Sequence, residues 1–191
     1  MSTNYGESVI IFGFPGVGKT YAFEHAEELG YTIMDSDSSK FHWMYEDEEC
    51  TIPMLDENGK KIVHPAWPQN YVQYITLMGR ETEDYPDYIL CSTHEEVMNA
   101  LLPLDFTCFA IVPDISMKED FLALYKERGS SDEFIANMDK NWDEFVKGTI
   151  ERSCSNELYN CMLVMIRKEG KIHNVSDFLK LNIQTPMEFE K

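Results

Sequence analysis

Eight consecutive residues carry the plainest chemistry in this chain: Gly13-Phe14-Pro15-Gly16-Val17-Gly18-Lys19-Thr20. They fit G-x-x-x-x-G-K-[S/T] at every fixed position, directly after an apolar stretch and directly before an expected helix. Gly13, Gly16 and Gly18, with Pro15 and Val17 between them, let backbone N–H groups wrap phosphate oxygens. The amino end of the following helix adds partial positive charge. Lys19 is placed to reach the outer phosphates, and the Thr20 hydroxyl to ligate a divalent cation. The expected ligand is a nucleoside triphosphate, ATP with Mg2+. A glycine-rich strand-to-helix turn that binds nothing is the alternative.

A second carboxylate decides what such a loop does. The expected third strand ends in Leu90-Cys91-Ser92-Thr93-His94, with no acid before Glu95. The fourth ends in Val112-Pro113-Asp114, where Asp114 reads as a turn or helix-start residue. Asp35-Ser36-Asp37, directly after the expected second strand, is the strongest candidate. A polar turn capping the next helix is the competing reading of Asp35 to Ser39. His94, at a strand end, reads more readily as a neighbour of a helix cap than as a proton shuttle.

On Gly13 to Thr20, on Asp35-Ser36-Asp37 and on a basic helix after the fourth strand, the chain resembles the small P-loop kinases, the group of shikimate, gluconate, polynucleotide and nucleotide kinases. The resemblance implies Lys19, Asp35, Asp37 and Arg128 as catalytic residues. Thr20 and Asp35 would face Mg2+, and Asp37 the acceptor. It also implies a lid after the fourth strand, about residues 114–132, that supplies Arg128 to the γ-phosphate, with Lys118 and Lys126 as weaker candidates. The alternative is that Lys126 and Arg128 only offset a helix carboxyl-terminal dipole. Acceptor recognition falls to an insertion at about 38–86, where Trp43 and Tyr71 could stack a ring and Arg80 could bind a phosphate. Packing of these aromatics against the sheet is the competing reading. A single arginine in this segment departs from the adenylate-kinase pattern and keeps a hydroxyl acceptor open.

The elements that must position these residues alternate in type. Ser8–Phe12, Tyr31–Met34, Tyr88–Cys91, Phe106–Val112 and Cys161–Ile166 read as strands, the first as a fully buried parallel one. A helix is expected from Gly18 to about Leu29, ended by Gly30, and another over Gln69–Met78. Asn58-Gly59 between short apolar runs signals a hairpin, and Gly79–Pro86 an acidic loop. Capping boxes at Thr93/Glu96, Ser116/Glu119 and Ser130/Glu133 start three further helices, and Ser176 starts a short final one. The last of the three places Phe134, Met138, Trp142, Val146 and Ile150 on one core-facing stripe. The expected fold is one α/β domain over residues 1–191, with a mostly parallel five-stranded sheet in three layers, a hairpin insertion after the second strand and a lid after the fourth.

Charge and cysteines bound the function. With 16 Lys+Arg against 34 Asp+Glu the net charge is −18, which works against duplex nucleic acid or anionic membrane as partner. No apolar run resembles a leader or a membrane span, so a cytoplasmic protein is expected. Five cysteines with no CxxC pair fit buried thiols in a reducing compartment. The leading expectation is an Mg-dependent ATP phosphotransferase acting on a small nucleoside- or nucleotide-like acceptor. A P-loop switch with slow hydrolysis is the alternative, and a polynucleotide 5′-hydroxyl kinase the third reading.

Overall fold

A computed structural model describes residues 7–154 and 160–184. Its strands are β1 (Val9–Gly13), β2 (Ile33–Asp35), β3 (Tyr88–Ser92), β4 (Cys108–Pro113) and β5 (Cys161–Ile166). They form one sheet in the order β2-β3-β1-β4-β5, every pair parallel. β1 lies at the centre, and all five of its residues are buried. Its unbroken apolar run suits a strand covered on both faces.

Eight α-helices connect the strands: α1 (Lys19–Glu24), α2 (Ala26–Leu29), α3 (Ser39–His42), α4 (Gln69–Thr76), α5 (Glu95–Leu101), α6 (Lys118–Glu127), α7 (Asp132–Cys154) and α8 (Val175–Gln184) among the described residues. α1 packs on β2 and on α8, while α7 packs on β4, β5, α5 and α6. Helices against a parallel sheet in two such groups are consistent with a three-layer α/β arrangement. The chain leaves β1 toward β2 on one side and leaves β4 toward β5 on the other. A crevice therefore opens beyond the carboxyl ends of β1 and β4, where sheets of this kind bind ligands. No helix among the described residues is long and apolar enough to cross a membrane.

Several local expectations are corrected. The first helix breaks at His25 into α1 and α2, although Gly30 does close it with φ 72°. The stretch expected to loop from Gly79 instead continues α4 as a π-helical turn over Leu77–Glu81. Gly79 is buried there, and a Cβ would come within 3.1 Å of Phe106, so the glycine admits close packing rather than breaking the helix. The caps also shift. His94 precedes α5 without a side-chain cap, and Asp114 accepts from the Ser116 amide at 3.0 Å. Ser131 accepts from Phe134 N at 3.2 Å, and Asn174 Oδ1 accepts from Asp177 N at 2.9 Å. Ser130 is already spent in ending α6, where its amide donates to Tyr125 O and its hydroxyl accepts from Arg128.

The α7 stripe behaves as expected: Met138, Trp142 and Val146 are buried, with Phe134, Ile135, Phe145 and Ile150 packed at its margin. Between β2 and α4 the chain makes an arm with three isolated antiparallel bridges, Trp43 with Val63, Tyr45 with Pro53 and Leu55 with Lys61. At its tip Asp56 Oδ1 accepts from the amides of Asn58 and Lys60, and Gly59 adopts φ 75°.

Candidate functional site

The loop from Gly13 to Thr20 leaves β1 at the crevice and is fastened from three sides. Phe14 is buried edge-on against Trp142 of α7, with ring centroids 5.5 Å apart. The Tyr125 hydroxyl of α6 donates to Pro15 O at 2.9 Å, and Val175 N at the start of α8 donates to Val17 O at 2.9 Å. Three glycines answer to this geometry, Gly18 among them with φ 85°. Gly13 has no room for a Cβ, which would meet Lys19 Cγ and Cδ at 2.8 Å. Gly16 has φ 87°, and a Cβ there would lie 3.0 Å from Tyr125.

Lys19 folds back over the loop. Its ammonium donates to Gly13 O at 2.7 Å and Phe14 O at 3.4 Å. Burial pushes its pKa down to about 8, and the nearby Asp35 carboxylate opposes that fall. The Thr20 hydroxyl donates to Asp35 Oδ2 at 3.2 Å. Asp35 closes β2, whose last residue pairs with Leu90 of β3. Burial raises the Asp35 pKa, the Thr20 hydrogen bond and Lys19 pull it back, and Asp37 adds to the rise. The Thr20 hydroxyl and the Asp35 carboxylate thus meet although they lie 15 positions apart in the chain, and the Lys19 ammonium lies close enough to feel the Asp35 charge. A hydroxyl and a carboxylate oxygen are the hard donors that Mg2+ prefers, usually with water and substrate oxygens completing the shell. The residues present fit such an ion.

Asp37 takes a different place. Its Oδ1 accepts from the Ser39 amide at 3.0 Å and the Ser39 hydroxyl at 2.7 Å, a polar turn at the start of α3. The polar-turn reading of Asp35 to Ser39 thus describes Asp37 and Ser39, while Asp35 faces Thr20 instead. Arg128 is exposed at the end of α6, donating from Nε to Ser130 Oγ at 2.8 Å, with its guanidinium 4.7 Å from the Tyr125 ring centre. It touches Tyr125, which holds the loop, and its charge also acts on Lys19, whose pKa it helps to lower. Lys118 bridges α6 to α7 by an ion pair with Asp139 at 2.6 Å.

A cleft of about 1090 Å3 adjoins the loop. Phe14 and Pro15 line it on the loop side, Trp43, Leu55 and Val63 on the arm, and Phe134 and Phe145 on α7. His94, Glu95 and Arg152 close one end, the last two as an ion pair at 3.4 Å. Desolvation lowers the pKa of both His42 and His94, and their rings lie 5.6 Å apart. His42 is stacked between Trp43 at 4.2 Å and Trp67 at 4.5 Å, so the root of the arm is one ladder of rings.

Two residues assigned to acceptor binding lie elsewhere. Tyr71 is fully buried beneath the site, with its hydroxyl 2.6 Å from Ser36 Oγ. Arg80 pairs with Glu7, which precedes β1, and covers the Phe106 ring at 3.7 Å. That places it beyond the amino end of β1, the opposite end from the loop. Phe41 and Tyr74 pack on each other and on the core, leaving Trp43 as the assigned aromatic that borders the cleft.

No family model matches the chain. No curated protein matches it either. Among solved structures it is similar to an uncharacterized protein from Eubacterium ventriosum ATCC 27560, with a TM-score of 0.41 and 16% identity over 93% of this chain and 96% of that one. A likeness of that size assigns neither family nor activity.

Tyr125 and Ser36 support the site and His94 borders it; of the three, only His94 is singled out by the sequence, at a strand end near where a site would open in such a sheet. Tyr125 carries no sequence signal beyond its place in the helix that ends before Gly129. His94 was visible at a strand end, without the ring ladder that makes it part of the cleft.

Proposed function

We propose that the protein is an Mg2+-dependent phosphotransferase that moves the γ-phosphoryl group of ATP to a small nucleoside- or nucleotide-like acceptor. The observation that supports this most directly is the convergence of Lys19, Thr20 and Asp35 at the carboxyl ends of β1 and β2, around a loop held at Phe14, Pro15 and Val17. Lys19 exchanges the Gly13 and Phe14 carbonyls for phosphate oxygens. Thr20 and Asp35 would hold the Mg2+, which supplies charge neutralisation across the phosphates. The P-loop identity of the fold, the arm as acceptor insertion and α6 as lid all belong to this reading. The acceptor occupies the cleft beside the loop, against Trp43, with Asp37 at the neighbouring turn. Arg128 approaches the phosphates by leaving Ser130. Rate enhancement then comes from positioning and electrostatics.

The test is calorimetric titration with ATP and Mg2+, followed by a panel of nucleosides and nucleotides scored for labelled product. Transfer to a member of the panel is the expected result. Phosphate release that no acceptor redirects favours a hydrolytic switch, and no Mg2+-dependent heat with any purine triphosphate overturns the proposal.

A further inference from the structure

Ser36 stands between the two aspartates, and its contacts run away from the cleft. Its amide donates to Leu90 O at 3.2 Å, extending the pairing of β2 with β3 by one residue. Its hydroxyl donates to the same carbonyl at 2.6 Å. With that one proton committed, the Tyr71 hydroxyl is the donor across the 2.6 Å contact to Ser36 Oγ, and it also reaches Ser36 O at 3.2 Å. Both residues are buried. Burial raises the Tyr71 pKa well above its ordinary value, so the phenol keeps the proton it donates. The next residue back, Asn70, donates from Nδ2 to Phe41 O at 2.9 Å. α4 thus clamps the segment 36–41 at both ends, while Asp35 and Asp37 project from it toward the loop and α3.

We infer that Tyr71 is a positioning residue: its hydroxyl, through Ser36, sets the angle at which Asp35 meets Thr20, and so links the helix that follows the arm to the cation-binding pair. This rests on the phosphate-site reading above. A phenol touching neither nucleotide nor metal acts here as outer-shell partners of metal ligands do, where loss commonly costs about 10–100-fold in metal affinity.

The experiment compares wild type, Tyr71→Phe, Ser36→Ala and the double variant by titration with ATP in Mg2+ and with ATP in EDTA. Tyr71→Phe keeps the ring that packs on Phe41 and Trp67, and Ser36→Ala reaches the same link without touching that packing. The expected result is about tenfold weaker binding of Mg·ATP in each single variant, unchanged binding in EDTA, and no further loss in the double. A wild type with Mg2+-dependent binding that Tyr71→Phe and Ser36→Ala leave within twofold overturns this inference alone. So does an equal loss with and without Mg2+, which marks a purely structural role. A wild type with no Mg2+-dependent binding overturns the phosphate-site reading together with it.

Discussion

The loop at the end of β1 and the segment between β2 and β3 face each other across one cleft, and they are built on different terms. The loop's functional atoms are local: a lysine six residues on satisfies the carbonyl of Gly13, and the contacts from α6, α7 and α8 only fasten what the backbone already does. The arm has three isolated bridges, no regular strand, and a root of stacked rings. Its aromatic residues divide between core and cleft, and which does which depends on partners far away in the chain. One wall of the cleft is thus fixed by contacts within its own segment, the other by rings packed from separate parts of the arm.

The sharpest way to break that contrast is at Lys19. Lys19→Met should lower nucleotide-dependent turnover by ~10²-fold or more, as expected for losing one strong transition-state donor. It should also melt higher than wild type at pH 7. The folded pKa of about 8 lies below the ordinary 10.5, so between those values the unfolded chain binds more protons. The cost of burying the charge is therefore full below pH 8, and the advantage of the methionine variant should shrink as pH rises toward 10.5. Melting curves at pH 7 and pH 10 check the sign, and equal melting at pH 7 would contradict it.

Two glycines with similar backbone angles give the next comparison. Gly16→Ala combines φ 87° with a Tyr125 contact at 3.0 Å, so strain of about 1–3 kcal/mol and weakened ATP binding should appear together. Gly59→Ala has φ 75° with open space around it. It should cost about 1 kcal/mol and leave ATP affinity alone. Urea titration and calorimetry on the pair separate the two effects. Matching losses of affinity would mean that the arm tip and the loop are mechanically one unit.

Arg80→Gln should have the smallest effect. It removes an exposed ion pair with Glu7 and a stacked guanidinium on Phe106, worth about 1 kcal/mol together, and should leave both ATP affinity and product formation within twofold. A tenfold fall in acceptor affinity would return Arg80 to the site and require the region beyond the amino end of β1 to bind substrate.

The residues themselves explain why one region was readable and the other was not. Gly13 to Thr20 follows a continuous apolar strand, and its spacing carries the geometry, because hydrogen bonds within a few residues decide it. The α7 stripe was legible because periodicity along one element reports which face is covered, and Cys161–Ile166 because an unbroken run of six apolar residues reads as a strand. Helix caps were less legible, since serines and acids cluster at each boundary and a one-residue shift satisfies the same pattern, as at Ser130 and Ser131. Tyr71, Trp43 and Arg80 carry no such local signature. One entered the core, one the cleft and one the far end of the sheet.

Alone, the order of amino acids determined an α/β alternation, a central buried strand and a glycine-lysine turn between that strand and the first helix. Tertiary structure decided that Asp35 meets Thr20 while Asp37 turns to Ser39, that Tyr71 lies under the aspartates, and that Arg80 is shut out. The physical reason is the range of the interactions. Backbone geometry and periodic burial act over a few residues, whereas the destination of a single side chain is set by whichever distant surface the crossover order brings beside it.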